Sequence, residues 1–343
     1  MDETQKASWP RVKAVAAAAL DLEPDRRRAF IEETCGHDSR LCEEVLALLE
    51  SADAAAGLFE TPAGVADQVE TAAPSHLGPY RIVRELASGG MGSVYLAERD
   101  DGQFHQRVAI KIVRGGFASA FLMERFREER RILASLEHPN IARLLDGGTT
   151  ADGLPYVVME FIEGEPIDRF CVRRAVLLNE RLAIVRQVCA AVQYAHQHLV
   201  IHRDIKPGNI LVADDGTPKL LDFGIAKLLD ADTGTEVSPQ MTLRVMNPES
   251  ASPEQVLGQP VTVAADVYAL GVLLYRLLTD ESPYRGALQN EADLVRVVCE
   301  QTPQSPSVSR PDLRIPSDLD MIVMKAMRKE PARRYESAGA LSD

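Results

Sequence analysis

Two short apolar runs carrying closely spaced polar residues constrain this chain more than any other stretch. The first is Leu199-Val-Ile-His-Arg-Asp-Ile-Lys-Pro-Gly-Asn-Ile-Leu211, and the second is Leu220-Leu-Asp-Phe-Gly-Ile225. Between them lies Asp214-Asp215-Gly216, the composition of a tight hairpin turn that needs positive φ. The pattern predicts a strand delivering His202-Arg203-Asp204 into a loop, and a second strand from Pro218 to Leu221 that ends at Asp222-Phe223-Gly224. Such a hairpin converges a carboxylate (Asp204), an amide (Asn209) and a second carboxylate (Asp222) on one region. A surface hairpin with ordinary turn carboxylates is the bland alternative, and two polar clusters in this order and spacing leave it little room.

The chemistry that fits is phosphoryl transfer. Asp204 is suited to accept the proton of an attacking hydroxyl, while Asn209 and Asp222 offer hard oxygen ligands for Mg²⁺, with Mn²⁺ the alternative cation. These residues resemble the His-Arg-Asp…Asn and Asp-Phe-Gly motifs of the bacterial eukaryotic-type serine/threonine protein kinases. Lys206, two residues after Asp204, is the form found in the serine/threonine-directed members. The resemblance covers about three-quarters of the chain, from Leu77 to Asp343. It implies an α+β, two-lobed protein kinase fold: a small antiparallel β lobe with one helix (78–162) and a large helical lobe (163–343).

Composition agrees with a globular chain: 45% of residues are hydrophobic and 26% charged over 343 residues, a length suited to about two domains. The net charge of −13 argues against a nucleic-acid or anionic-membrane partner. Residues 1–77 hold 7 Lys/Arg and 15 Asp/Glu, so that segment carries −8 of the total. The five cysteines, Cys35, Cys42, Cys171, Cys189 and Cys299, are scattered and odd in number, which suits a reducing compartment and a cytoplasmic location. No uncharged apolar run reaches the roughly 20 residues of a membrane span. The short last helix, Ser337 to Asp343, lacks a stop signal, so a membrane anchor or further domain beyond it is expected in a longer protein.

Residues 1–54 read as short helices, with apolar stripes such as Val12, Val15, Ala16, Ala19 and, later, Leu41, Val45, Leu46, Leu48 and Leu49. Residues 55–76 are rich in Ala, Gly, Pro and Thr and read as a linker. The helices are too short to be stable alone, and the expectation is that they pack on the kinase or dock a protein partner.

From Tyr80 the pattern becomes that of strands, with Ala87-Ser88-Gly89-Gly90-Met91-Gly92-Ser-Val94 between two of them. This resembles the glycine-rich turn over the ATP phosphates, except that Ala87 stands where the family usually has its first glycine. Lys111, in Val108-Ala109-Ile-Lys111, implies a phosphate-binding lysine, and Glu129 on the following helix implies its partner, with Glu128 the choice if the register slips. By the same resemblance Met159 stands behind the adenine, the backbones of Glu160 and Ile162 face its edge, and Val94, Ala109 and Leu211 enclose the ring.

The segment from Ile225 to Ala251 carries Thr233, Thr235, Ser238 and Thr242, candidate acceptors of phosphate that Arg203 would bind. It ends in Ser252-Pro253-Glu254, a variant of the usual Ala-Pro-Glu, and Asn247 replaces the usual threonine. Glu254 implies an ion pair with Arg334, and Asp266 implies an anchor for the catalytic-loop backbone. The expected activity is Mg²⁺- and ATP-dependent transfer of phosphate to protein serine or threonine. The competing reading is a weakly active or non-catalytic kinase-like scaffold, supported by Ala87 and Asn247.

Overall fold

The computed structural model describes residues 30–31, 34–35, 74–89, 92–100, 105–113, 120–223, 250–284 and 296–343. The chain divides into two compact units, Met1–Ala72 and Ala73–Asp343. In the first, the described residues Phe30, Ile31, Thr34 and Cys35 are helical. Ile31 and Cys35, four apart and therefore on one helix face, are both buried. The other helices expected in this segment lie outside the described residues.

The second unit begins with an antiparallel sheet of β1 (His76–Leu77), β2 (Tyr80–Gly89), β3 (Gly92–Arg99) and β4 (Arg107–Val113). Helix α1 (Ala120–Ala134) follows, then β5 (Leu144–Thr149) and β6 (Pro155–Glu160). The spatial order is β1-β2-β3-β4-β6-β5. His76 pairs with Arg81, so the sheet starts one residue inside the stretch expected to be linker. Strand alternation sorts the side chains onto two faces. Tyr95, Ala97, Val108, Ile110 and Val158 share a buried cluster on one face. On the other, Val113 and Val157 pack on Phe126 of α1, while Val94, Ala109 and Lys111 line up beside them.

The chain then crosses into a helical lobe through β7 (Gly164–Pro166), α2 (Ile167–Arg173) and α3 (Leu178–Gln197). The strand expected before His202 does not form: residues 199–201 are turn and irregular backbone leaving α3. The hairpin itself forms as β8 (Ile210–Ala213) and β9 (Pro218–Leu220), with β7 completing a three-stranded sheet. Gly216 sits in its turn at φ +86°, the conformation for which a glycine was expected there. The rest of the described lobe comprises α4 (Pro253–Val256), α5 (Val263–Thr279), α6 (Pro306–Ser309), α7 (Ser317–Ala326) and α8 (Ala338–Ser342).

Helix α5 is the axis of this lobe. Thr262 caps its start by accepting from the N–H of Ala264, and nearly every turn is buried. At Gly271 the helix meets α7 so closely that a Cβ would lie 2.8 Å from that of Ala326. Glycine is required there by contact, not by φ. The lobes are joined where the chain entering β5 meets β9: the N–H of Leu220 donates to Asn140 and the N–H of Ala142 to Leu220. Leu133 of α1 and Leu136 just beyond it add apolar contact with Ala195 and Val200. No helix among the described residues is long and apolar enough to cross a membrane.

Candidate active site

The β8–β9 hairpin carries Asn209 just before one strand and Asp222 just after the other. The N–H of Leu221 donates to the carbonyl of Asn209 at 2.8 Å, which fixes the two ends against each other. Asn209 spends its amide nitrogen on Asp204, reaching both the backbone oxygen and Oδ2 at 2.8 Å. Lys206 Nζ lies 2.8 Å from the same Oδ2. Asp204, Lys206 and Asn209 are thus one assembly, with Asp204 and Asn209 buried.

The loop that holds them is strained. Arg203 has φ +64° and Asp222 φ +46°, a region costly for residues with a side chain unless the surroundings impose it. Asp266, buried on α5, supplies much of that constraint. Its carboxylate accepts from the N–H of His202 at 2.7 Å and of Arg203 at 2.9 Å. The same group lies 2.8 Å from His196 Nε2, in the last turn of α3.

Burial holds the His202 imidazole below its ordinary pKa, more strongly than the Asp266 charge raises it. The ring is therefore neutral at pH 7. Its Nε2 faces the carbonyl of Leu221 at 2.8 Å and so carries the proton, leaving Nδ1 to accept from the N–H of Asp204 at 3.3 Å. Phe223 stacks on the same ring, with centroids 4.7 Å apart.

Across from the hairpin, the inner face of the sheet presents Lys111. Val94 lies opposite Lys111, and Ala109 opposite Met159, so all four side chains share that face. Lys111 Nζ donates to Asp222 Oδ2 at 2.9 Å, with both side chains about four-fifths buried. The resemblance pointed to Glu129 as the lysine's partner. In the structure the end of β9 brings Asp222 up to the middle of β4 and the carboxylate there takes the ammonium. Glu129 lies half-buried on α1.

In the glycine-rich turn, Ala87 pairs with Val94, Ser88 with Ser93 and Gly89 with Gly92. Gly92 adopts φ +136°, open only to glycine without strain, and Gly89 has empty space where a Cβ would point. Gly90 and Met91 lie outside the described residues. Met159, Glu160 and Ile162 are all half-buried where β6 leaves the sheet, and Leu211 on β8 is half-buried below. The N–H of Glu160 is committed to Arg143, so its carbonyl is the group it can offer a ligand. The Glu160 carboxylate reaches across to Lys219 of β9 at 3.2 Å.

The supporting ion pair also forms. Arg334 meets Glu254 through two bonds of 2.6 and 2.7 Å, and donates further to the carbonyls of Ala264, Arg328 and Lys329. Ser252 is fully buried, and its hydroxyl and N–H both donate to Gln255 Oε1. Gln255 in turn donates to the carbonyl of Arg203 at 2.9 Å, tying α4 to the catalytic loop. A serine in place of the family's alanine therefore has a specific partner. Asn247, Thr233, Thr235, Ser238 and Thr242 lie outside the described residues.

Sequence reading passed over His196, Gln255 and Asn140, the last of which donates to the carbonyl of Pro218 at 2.9 Å. Each acts across 52 to 78 positions of sequence, and no local motif marks them.

The donor set suits a hard cation. With its nitrogen on Asp204, Asn209 turns its amide oxygen to the free side, and Asp222 retains a second carboxylate oxygen beyond the one on Lys111. Two hard oxygens of this kind suit a cation such as Mg²⁺ or Mn²⁺. Among the described residues no group of three His, Cys, Asp or Glu side chains is placed to hold a softer metal.

Comparison with known proteins covers the same part of the chain. A family model described as protein kinase domain matches residues 80–343. The serine/threonine-protein kinase PrkC of Bacillus subtilis is 38% identical over 263 residues, which is 76% of this chain and 39% of that protein. PknB of Mycolicibacterium smegmatis is 36% identical over 275 residues, covering 78% and 43%. The chain thus spans about two-fifths of the length of these curated relatives. Among solved structures, the M. tuberculosis PknI kinase domain aligns with a TM-score of 0.58 and 28% identity, covering 79% of this chain and 96% of that one. Rad53 1-466, in complex with AMP-PNP, aligns with a TM-score of 0.60 and 25% identity, covering 77% and 64%. With its curled antiparallel sheet set against a helical lobe, and with these relatives, the chain belongs to the protein kinase family and has that family's two-lobed fold.

Proposed function

We propose that this chain is a serine/threonine protein kinase that uses ATP and Mg²⁺ to phosphorylate protein hydroxyls. The observation that supports this best is the assembly at Asp204 Oδ2, where Asn209 and Lys206 both converge at 2.8 Å. Two donors on one oxygen fix the carboxylate's orientation before any substrate arrives, which is the positioning that phosphoryl transfer requires.

In this reading Asp204 orients the acceptor hydroxyl and takes its proton as the oxygen attacks. Lys206 offers its ammonium to the charge that builds on the transferred group. Lys111, with Glu129 as its expected support, binds the α- and β-phosphates. Asn209 and Asp222 hold the cation through their remaining oxygens. Val94, Ala109, Met159 and Leu211 exclude water around the base, whose edge meets the backbone of Glu160 and Ile162. Bound ATP supplies the phosphoryl group, and the cation neutralises its charge.

The test is incubation with γ-labelled ATP and two generic acceptors, one acidic and one basic, with and without a chelator. Label on serine or threonine that disappears with the chelator is expected. No label on either acceptor, and none on the chain itself, would favour the scaffold reading. Peptide mass spectrometry of the same reaction should find autophosphorylation among Thr233, Thr235, Ser238 and Thr242.

A further inference from the structure

Helix α4 is entered through Ser252-Pro253-Glu254-Gln255, the spacing of a capping box, in which the fourth residue returns its side chain to the cap. Gln255 Oε1 accepts from the N–H of Ser252 at 3.0 Å and from its hydroxyl at 3.1 Å. Two donors on that oxygen fix which way the amide points. The reverse orientation would set donor against donor at Ser252 and oxygen against oxygen at Arg203. Gln255 Nε2 therefore faces the catalytic loop, where it donates to the carbonyl of Arg203 at 2.9 Å. Ser252 and Gln255 are both buried, so water is a poor substitute for either partner. The neighbouring Glu254 is held in its ion pair with Arg334, which makes α4 a firm base for the bond.

The carbonyl belongs to the peptide that links Arg203 to Asp204. A peptide unit is planar, so a bond on its oxygen and one on its nitrogen set the whole plane. On the nitrogen side the Asp204 N–H donates to His202 Nδ1 at 3.3 Å, the longer of the two bonds. Arg203 sits at φ +64°, where a residue with a side chain stays only when its surroundings hold it. A turn of this plane changes ψ of Arg203 and φ of Asp204 together, and so re-aims the Asp204 carboxylate. Asp266 holds the two preceding N–H groups, whereas Gln255 acts on the plane that carries Asp204 itself.

We infer that Gln255 is a positioning residue for Asp204: its amide nitrogen fixes the plane of the Arg203–Asp204 peptide and thereby the aim of the base. The inference rests on the proposed function for what Asp204 does, and it adds a residue that reaches the base from α4. Ser252 enters the same arrangement, since its hydroxyl helps to orient the amide.

The test compares wild type with Gln255→Met and Gln255→Glu in single-turnover transfer from γ-labelled ATP, over a range of ATP concentrations and from about pH 6 to about pH 9. Methionine keeps the volume and loses both polar atoms. Its saturating rate should fall about ten- to a hundredfold at every pH, with the half-saturating ATP concentration unchanged. A protonated glutamic acid keeps an acceptor for Ser252 and a donor for Arg203, and burial favours that neutral form. Gln255→Glu should therefore run well above Gln255→Met at the acid end, and its ratio to wild type should fall as the carboxyl ionises. A loss of packing alone would treat the two variants alike. A saturating rate for Gln255→Met within about twofold of wild type, or an equal loss in both variants across the pH range, overturns the inference. Hydrogen exchange at the Asp204 amide separates this outcome from failure of the kinase reading. If wild type transfers nothing, but Gln255→Met speeds exchange at Asp204 while the β4 amides keep their protection, the kinase reading alone fails. Unchanged exchange at Asp204 in that case overturns the positioning as well.

Discussion

At the scale of single residues, Lys111 and His202 are both held by partners, but the partners do different things. Lys111 meets Asp222 in a cleft that keeps about a fifth of each side chain exposed, so the pair contributes modestly to stability. In the proposed function its place is to present an ammonium to phosphates. Lys111→Met should therefore lower phosphate transfer by at least about a hundredfold, with circular dichroism and melting temperature close to wild type. A collapsed melting transition would mean that the lysine is structural. His202 is a core group. Its folded pKa lies below the ordinary value, so as pH falls through about 6.5 the unfolded chain takes up this proton first. Stability contributed by the neutral ring is present above that value and is lost on the acid side. Melting scans between about pH 7.5 and 5.5 should show a decline whose slope is reduced in His202→Gln. An identical slope would remove His202 as a cause.

At the scale of elements, α5 organises the catalytic loop through one carboxylate. Asp266→Ala would leave the buried His202 N–H, the part-buried Arg203 N–H and the His196 ring without their acceptor, at about 1–3 kcal/mol each. Denaturant unfolding should show a loss of about 3 kcal/mol or more, and a loss under about 1 kcal/mol would contradict this anchoring. The Glu254–Arg334 pair is buried to the same degree. Arg334→Leu alone should destabilise by about 3–5 kcal/mol, because it strands a buried carboxylate, while the double variant Glu254→Met with Arg334→Leu should regain part of that. If the double variant is no better than the single one, the stranded charge is not the cause.

These elements differ in how far the sequence announces them. The β8–β9 hairpin is legible because apolar runs bracket an Asp-Gly turn, and α5 because its apolar residues run on without a break. Asp266 and Arg334 are legible only through resemblance to a family, since an aspartate at a helix start has many uses. His196 and Gln255 are not legible at all. Their roles are set by where two distant elements meet, and Ser252 turns out to be part of the same connection. The contact between Lys111 and Asp222 depends on how far β9 carries Asp222 toward the sheet, a matter of tertiary packing that no local spacing records.

At the scale of the molecule, the site lies where the sheet and the helical lobe meet, and neither makes it alone. The sheet contributes Lys111 and the half-buried apolar face around it; the hairpin contributes Asp204, Asn209 and Asp222. Backbone bonds between Leu220 and residues 140 and 142, with the Glu160–Lys219 pair, hold the two sides in register. The central claim is that this meeting of lobes transfers phosphate with Asp204 as the base. The most direct measurement is single-turnover transfer from γ-labelled ATP by the wild type and by Asp204→Asn, with nucleotide binding followed in parallel by thermal shift. The account predicts that both bind nucleotide and that transfer in the variant falls about 10²- to 10⁴-fold. Equal transfer by the two would contradict it.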